Sequence, residues 1–101
     1  MHSIIWTKEA KADRLQIINW YESILSKLAQ EFNDEVSQKI NKIVVPFPKI
    51  ARVAHKNARR LSLDQFPYNL VYTIDDEKKE VQILAIVHDK RNPSVWQDRV
   101  V

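Results

Sequence analysis

The segments that decide the fold are RRLSL at residues 59–63, FPYNLVYTI at residues 66–74 and VQILAIV at residues 81–87. In the first two segments apolar residues alternate with polar ones, which is the period of a β-strand buried on one face. The third segment is apolar at almost every position, which is typical of an interior strand covered on both faces. The charged residues 75–79 predict a hairpin turn between the second and third strands. These patterns predict three consecutive antiparallel strands.

The first half of the chain has a helical pattern instead. Residues 3–6 (SIIW) predict a short strand, and Thr7 is placed to cap the helix that follows. Apolar residues then recur at three- and four-residue steps in two stripes, Ala10 to Leu28 and Ala29 to Val44. The stripes fit either two helices, the second capped by Ser26, or one bent helix. Two helices are favoured because a single helix over both stripes would far exceed the usual length.

Prolines mark the end of the helical region and the start of a last helix. Pro46 and Pro48 end the helical region because neither can donate a backbone hydrogen bond. Residues 49–58 have no regular pattern and are interpreted as irregular. Asn92 followed by Pro93 is typical of a helix start and predicts a short C-terminal helix. We therefore expect one domain over residues 1–101, of class α+β, in the order β-α-α-β-β-β-α.

The alternation in the strands also sorts their side chains into two faces. The residues expected in the core beneath the two helices are Leu61, Leu63, Leu70, Tyr72, Ile83 and Ala85. Arg60 alternates away from its neighbours in that set, so we expect its side chain on the open side of the sheet.

Composition excludes whole classes of site. The 101 residues include no cysteine and no glycine, so disulfides, Cys-based zinc sites and glycine-rich phosphate loops are ruled out. The three histidines lack the helical spacing of a metal pair, so we expect no metal and no cofactor. The longest apolar run, residues 83–87, is too short to span a bilayer, and Met1-His2-Ser3 does not begin like a secretory signal. We expect a cytoplasmic protein that does not bind membranes.

The net charge of +3 hides an asymmetry along the chain. Residues 36–63 contain no acid, whereas the remaining residues contain nine bases and 13 acids. The seven bases of this acid-free window are Lys39, Lys42, Lys49, Arg52, Lys56, Arg59 and Arg60. One interpretation is a positive surface that binds phosphate or an acidic protein partner. The other is a solvated surface that happens to lack acids, and the sequence does not separate the two.

His88 is the histidine placed where a functional residue could stand. It ends the predicted interior strand and is followed by Asp89, Lys90 and Arg91. Histidine is the usual proton carrier near neutral pH, and strand ends often carry functional residues. The alternative is a surface histidine in a turn. The three tryptophans are interpreted as core or interface anchors.

A set of short motifs, in order along nearly the whole chain, carries a family resemblance. The motifs of the second half are Arg59-Arg60-Leu61, Phe66-Pro67-Tyr68, Val71-Tyr72 and Ile83-Leu84-Ala85, followed by His88, Arg91, Pro93 and Trp96. Those of the helical half are Ala10, Tyr21, Leu28-Ala29, Phe32 and Val36. In this combination the chain resembles the RelE/ParE superfamily of toxins from type II toxin–antitoxin systems.

The resemblance implies both a fold and a choice of functions. The fold is an N-terminal helical hairpin packed on a curved antiparallel sheet. The function is that of a small toxin neutralised by a cognate antitoxin, as in plasmid stabilisation. RelE-like members are endoribonucleases that cut mRNA on the ribosome, whereas ParE-like members inhibit DNA gyrase and are not known for nuclease chemistry. The oligomeric state, a homodimer included, stays open.

Two positions favour the ParE-like branch. RelE-like nucleases carry arginine directly after the tyrosine that Tyr68 resembles, whereas this chain has Asn69, which cannot neutralise a phosphate. Their C-terminal aromatic acid or base, usually tyrosine, corresponds to Trp96, whose indole has no proton to exchange near neutral pH. Three functions remain: gyrase inhibition, ribosome-dependent mRNA cleavage, and a non-toxic relict that keeps only antitoxin binding. Whether the protein is an enzyme stays open with them.

The resemblance also assigns candidate site residues. If the protein is a ribonuclease, Arg60, His88 and Arg91 are the expected catalytic residues. The residues expected to contact a target or a phosphate are Arg59, Arg60, Lys90, Arg91 and Trp96. Arg60 and Arg91 are expected to converge at one end of the open sheet face, where two guanidinium groups suit phosphates or carboxylates.

Overall fold

The computed structural model describes residues 2–100; Met1 and Val101, the ends of the predicted domain 1–101, lie outside the described residues. The elements in chain order are β1 (Ser3–Trp6), α1 (Lys8–Ile24), α2 (Ser26–Lys39), a π-helical turn (Ile40–Val44), β2 (Arg52–His55), β3 (Ala58–Ser62), β4 (Tyr68–Asp75), β5 (Glu80–His88) and α3 (Ser94–Gln97). Within residues 2–100, no helix combines the length and the apolar character that crossing a membrane requires.

The strands form one sheet in the order β1-β5-β4-β3-β2. The predicted α+β class and the packing of a helical hairpin on the sheet are confirmed, with two corrections in detail. The sheet is mixed, because β1 runs parallel to β5 while the other neighbours are antiparallel. In addition, Arg52–His55, interpreted as irregular, form edge strand β2. Its residues are mostly exposed on both sides, so no apolar alternation marks it in the sequence.

The helical hairpin begins and breaks at identifiable residues. The Thr7 hydroxyl accepts a hydrogen bond from the backbone N–H of Ala10 at 3.2 Å, as its predicted capping role requires. The break lies at Leu25, whose extended backbone (φ −163°) separates the two helices. The predicted cap at Ser26 is wrong, because its hydroxyl donates to Glu22 at 2.7 Å instead. The helical region ends just before Pro46, as predicted.

The sheet has two covered faces, which are called the helix face and the α3 face below. On the helix face, the helices contribute Ala10, Ile17, Phe32 and Val36 to the core. The sheet side contributes Leu63, Leu70, Tyr72, Val81, Ile83 and Ile86. The α3 face packs Ala58, Val71, Leu84, Ala85 and Val87 against Trp96 and Val100. Strand β5 is therefore covered on both faces, as its apolar sequence predicts.

A β-bulge moves one predicted core residue to the other face. Val71 pairs with Ala85 and Tyr72 pairs with Ile83, so Leu84 is an extra residue in β5. The bulge shifts the alternation, and Ala85 packs on the α3 face rather than beneath the two helices. The other five predicted core residues lie on the helix face, although Leu61 is only partly buried.

The turn between β3 and β4 is held by a side chain of α2. Glu35, buried to 8% exposure, accepts hydrogen bonds from the backbone N–H groups of Asp64 and Gln65, the latter at 3.0 Å. In a chain without glycine, this carboxylate fixes a tight connection that the backbone alone would not specify. Elsewhere in the described residues the left-handed turn positions fall on Lys56 (φ 50°) and Lys79 (φ 53°).

Candidate functional site

The α3 face carries two arginines side by side at its open edge. Arg60 of β3 lies directly opposite Arg52 of β2 in the antiparallel register, so both side chains leave the sheet on the same face. Neither arginine forms an ion pair with any residue between 2 and 100. His55 ends β2 opposite Ala58, with its ring 6.0 Å from that of Trp96. The predicted position of Arg60, away from the helices, is found.

Trp96 covers the rest of the α3 face. Its side chain is 2% exposed and packs with Ala58, Val71 and Val87. In this arrangement Trp96 is a core residue, and its buried ring is not exposed for direct contact with a target. The interpretation of this tryptophan as an anchor agrees with its position.

The C-terminal segment is fastened to α1 by an ion pair. Arg99 Nη1 donates to Asp13 Oδ2 at 2.7 Å and to the carbonyl of Leu84 at 3.0 Å. The same Asp13 oxygen accepts from the backbone N–H of Ile86 at 3.1 Å. Because β1 pairs with β5 only as far as Ile83, this pair covers the part of the β5 edge that β1 leaves open. No sequence motif indicates this contact between distant residues.

His88 and Arg91 lie in a cleft between α1 and the C-terminal segment. The cleft holds about 250 Å³, and Trp20, Tyr68 and Val95 contribute to its walls. The ring of His88 contacts that of Tyr68 edge-on at 5.2 Å, and its Nδ1 accepts from the backbone N–H of Lys90 at 3.1 Å. Trp20, which is 60% exposed, joins this wall from α1.

Tyr68 connects the wall of this cleft to an aromatic cluster behind it. Tyr68 packs edge-on against Tyr21, with ring centroids 6.3 Å apart, and Tyr21 continues into the Phe32 and Phe66 cluster. Burial raises the pKa of Tyr21, and the charge and hydrogen bonding of the neighbouring Tyr68 raise it further. These effects favour the neutral form of the Tyr21 phenol, whose ring packs in the aromatic cluster.

The structure does not assemble the predicted catalytic set. Arg60 pairs with Val71 and leaves the sheet on the α3 face, whereas His88 pairs with Tyr68 and leaves it on the helix face. Arg91 lines the cleft beside His88. Arg60 and Arg91 therefore do not converge as predicted, because Arg91 lies beyond the end of β5, where the turn after His88 brings it beside α1.

The remaining predicted contact residues have different environments. Arg59 faces the helix side, where its Nη1 donates to the carbonyls of Lys49 at 2.9 Å and Ala51 at 2.7 Å. Its guanidinium group thus fixes the segment that leads into β2. Lys90 is exposed in the loop after β5.

Asn69, which replaces the arginine of RelE-like nucleases, is buried. Its side chain accepts a hydrogen bond from the Ser62 hydroxyl at 2.8 Å and donates one to Asp89, so it connects β4 to the loop after β5.

The acid-free window does not form one uniformly positive surface. Lys39 pairs with Asp64 at 2.9 Å and Lys49 pairs with Asp76 at 3.3 Å, in both cases with an acid from outside the window. Among the residues described, the bases of the window that form no ion pair are Lys42, Arg52, Lys56, Arg59 and Arg60. Positive charge is therefore concentrated around β2 and β3.

Sequence comparison decides the family. The profile described as "ParE toxin of type II toxin-antitoxin system, parDE" matches residues 4–93, which include β2 to β5 in full and all of β1 except Ser3. The chain belongs to the ParE toxin family. The comparison with curated protein sequences yields no match.

Solved structures with the same fold include chains of toxin–antitoxin systems from three bacteria. This ParE-type toxin is similar to a chain of the chromosomal ParDE system from P. aeruginosa, with TM-score 0.70 and 23% identity over 87% of this chain and 96% of that one. It is also similar to a chain of the E. coli RelBE toxin–antitoxin complex (TM-score 0.59, 16% identity, 90% and 100% coverage). A chain of the M. tuberculosis RelBE2 complex gives TM-score 0.54 and 17% identity, with 86% and 90% coverage. At these identities the likeness shows the shared RelE/ParE fold.

Proposed function

We propose that this ParE-type toxin inhibits DNA gyrase by binding it, without cleaving nucleic acid, and that a cognate antitoxin neutralises it. The observation that carries the proposal is the separation of Arg60 from His88 on opposite faces of the sheet. Cleavage of RNA by its own 2′-hydroxyl needs a base, an acid and a cation around one phosphate. Groups that leave a sheet on opposite faces cannot meet at one phosphate.

The burial of Trp96 supports the same proposal. An acid or base for a leaving oxygen must reach the reacting atoms, and a side chain with 2% exposure beneath the C-terminal segment does not. Its position is instead that of a packing residue that keeps α3 on the sheet. The proposal places the protein in the cytoplasm, where gyrase works, with a role in plasmid or chromosome stabilisation.

One cluster keeps the ribonuclease alternative worth testing. His88 and Arg91 line the same cleft as Tyr68, with Lys90 in the adjoining loop, which gathers cations and a titratable imidazole within four residues. Such groups suit phosphate binding and proton transfer. A ribosome with mRNA bound is the target in that alternative, and a relict without toxicity is the third outcome.

The experiment combines purified proteins with expressing cells. The purified toxin is added to gyrase and relaxed plasmid, and negative supercoiling is measured on a gel. In parallel, induced cells are assayed for mRNA cleavage and for double-strand breaks, with and without the product of the adjoining reading frame. A Lys27→Ala toxin is the matched surface control, because Lys27 is 78% exposed on α2.

The outcomes separate the three functions. Gyrase inhibition, DNA breaks and intact mRNA support the proposal. Cleaved mRNA with normal supercoiling overturns it in favour of the ribonuclease. Normal growth with an antitoxin complex that still forms identifies the relict.

A further inference from the structure

Trp20 leaves most of its indole ring open to solvent on one wall of the cleft between α1 and the C-terminal segment. The side chain is 60% exposed and lies outside the core clusters on both faces of the sheet. Burial of an aromatic ring of this size is favourable, so the fold of residues 2–100 gives no reason for its position. An exposed indole beside a cleft offers a flat surface on which another ring can stack.

Hydrogen-bond donors line the same cleft. The Nδ1 atom of His88 accepts a hydrogen bond from the backbone N–H of Lys90 at 3.1 Å. A ring nitrogen that accepts carries no proton, so the proton of the neutral imidazole is on Nε2, which is a donor. Arg91, the other basic residue of the cleft, supplies the planar fork of donors of a guanidinium group. Neither Arg91 nor Lys90 forms an ion pair within residues 2–100, so their charge is available to an anion.

The acids near the cleft do not oppose an anion. Asp13 lines the cleft, but its Oδ2 atom already accepts from the Arg99 guanidinium at 2.7 Å and from a backbone N–H of β5 at 3.1 Å. Its charge is therefore compensated within the fold. Asp89, which follows His88, accepts from the side chain of Asn69. Because Asn69 alternates with Tyr68 along β4, this contact holds the Asp89 carboxylate on the α3 face, away from the cleft.

The size and lining of the cleft limit the kind of ligand. Its volume of about 250 Å³ lies below the ~300–1,000 Å³ of pockets for drug-sized ligands, so it admits one small molecule or one residue of a polymer. Ile17, Ile86 and Val95 give it an apolar lining next to the indole, which suits a flat ring. The donors of His88 and Arg91 suit a phosphate, whose three terminal oxygens accept more hydrogen bonds than a carboxylate on a peptide.

We propose that this cleft binds a nucleoside monophosphate, with its base stacked on Trp20 and its phosphate held by Arg91 and the Nε2–H group of His88. Lys90, in the adjoining loop, adds positive charge near the phosphate. A free nucleotide and an unpaired nucleotide of a single strand offer the same base and phosphate, so both are sources of this ligand. The binding goes beyond gyrase inhibition and does not depend on it.

The probe is adenosine 5′-monophosphate, and isothermal titration calorimetry with the purified toxin measures its affinity. Adenosine, which lacks the phosphate, and inorganic phosphate, which lacks the base, are the controls for the two halves of the ligand. We expect the nucleotide to bind with a Kd below about 1 mM and at least about tenfold more tightly than either control. Stacking of the base on Trp20 should also quench part of the tryptophan fluorescence, whereas inorganic phosphate should not.

Variants of the toxin test the two halves of the cleft. Trp20→Ala should weaken nucleotide binding about tenfold and abolish the quenching, although the other two tryptophans remain, and Trp20→Phe should keep most of the affinity. Arg91→Ala should also weaken binding about tenfold. The matched controls are Leu15→Ala, an exposed apolar residue of α1 outside the cleft, and Lys27→Ala, an exposed base of α2, and both should bind like the parent. Circular dichroism checks folding, and Arg91→Ala carries the test if Trp20→Ala does not fold.

A single-stranded oligonucleotide of about ten deoxyadenosines separates the two sources of the ligand. Tighter binding of the oligonucleotide than of the mononucleotide, weakened in Trp20→Ala, identifies nucleic acid as the source. Binding of the mononucleotide alone identifies a free nucleotide, and either result supports the cleft.

Other results overturn the inference. They are no saturable nucleotide binding, equal binding by the parent, Trp20→Ala and Arg91→Ala, and inorganic phosphate bound as tightly as the nucleotide, which would leave an anion site only. If Trp20→Ala loses gyrase binding while no nucleotide binds, the occupant is a protein segment; the inference then fails and the proposed function stands. Nucleotide binding by a toxin that does not inhibit gyrase removes the proposed function and supports the cleft.

Discussion

Replacing Glu35 by alanine tests how a chain without glycine fixes its β3–β4 turn. The carboxylate, 8% exposed on α2, is the acceptor for two successive backbone N–H groups, those of Asp64 and Gln65. Removing it leaves both donors without a protein partner. The turn precedes Tyr68, so its position also sets where β4 begins.

The magnitude follows from the hydrogen bonds that are lost. Hydrogen bonds to a charged group contribute about 1.5–3 kcal/mol each. Asp64 and Gln65 are exposed, so water replaces part of the loss, and we expect about 2 kcal/mol in total for Glu35→Ala. For a domain of this size that lowers the Tm by about 10 °C. Glu35→Gln keeps one acceptor oxygen and should lose about 1 kcal/mol.

Urea titration followed by tryptophan fluorescence measures the free energy of unfolding of each variant. The matched control is Glu31→Gln on the same helix, whose ion pair with Lys27 spans 3.9 Å at the surface and should contribute at most about 0.5 kcal/mol. A Glu35→Ala protein as stable as this control would show that the carboxylate does not hold the turn. Some other contact would then have to fix the β3–β4 turn in this chain without glycine.

Three further predictions concern the core, the pH range and toxicity. Ile83→Ala, at a site with no exposure, should cost about 2–5 kcal/mol in the same titration, and a loss below about 0.5 kcal/mol would contradict its burial. Burial raises the pKa of Tyr72 above its ordinary value, partly opposed by a neighbouring cation, so the folded state keeps a proton that the unfolded chain loses. Stability should therefore fall as pH rises above about 10, and less steeply in Tyr72→Phe, as thermal melts at several pH values would show. Arg60→Ala and Arg91→Ala should each restore growth of expressing cells with the Tm changed by only a few degrees. Unchanged toxicity at equal protein level would contradict a role of that arginine in toxicity. His88→Gln should leave gyrase inhibition intact, whereas a loss of mRNA cleavage in this variant would favour the ribonuclease.

The site could be predicted only in part because its residues depend on strand faces. The alternation around Leu61 correctly places Arg60 on the face away from α1 and α2, since a period of two fixes which neighbours share a face. The predicted position of Ala85 beneath the two helices is wrong because of the bulge at Leu84. The bulge could not be predicted, since this part of β5 is apolar at every position and shows no alternation that a bulge would interrupt. The predicted convergence of Arg60 with Arg91 fails for another reason. Arg91 lies beyond β5, in the turn after His88, where strand alternation no longer fixes the face of a side chain.

Contacts between distant parts of the chain could not be predicted from the sequence for a different reason. Asp13 meets Arg99 and Glu35 meets the turn at Asp64, in each case across many residues and without a local pattern. Polar side chains at such positions look like ordinary surface residues until the helices dock on the sheet. Trp20 likewise becomes part of a cleft with His88 only when α1 lies beside the C-terminal segment.

The sequence by itself determined the class of fold, the helix cap at Thr7, the end of the helices before Pro46, the interior strand and the toxin family. Each of these rests on local chemistry or on a period that neighbouring residues carry. Tertiary structure alone decided the edge strand β2, the parallel pairing of β1, the position of Arg91 in the cleft beside His88 and the burial of Trp96. These features depend on which surfaces of distant elements pack together. The free energy of that burial depends on both partners, so the local sequence of one element does not reveal it.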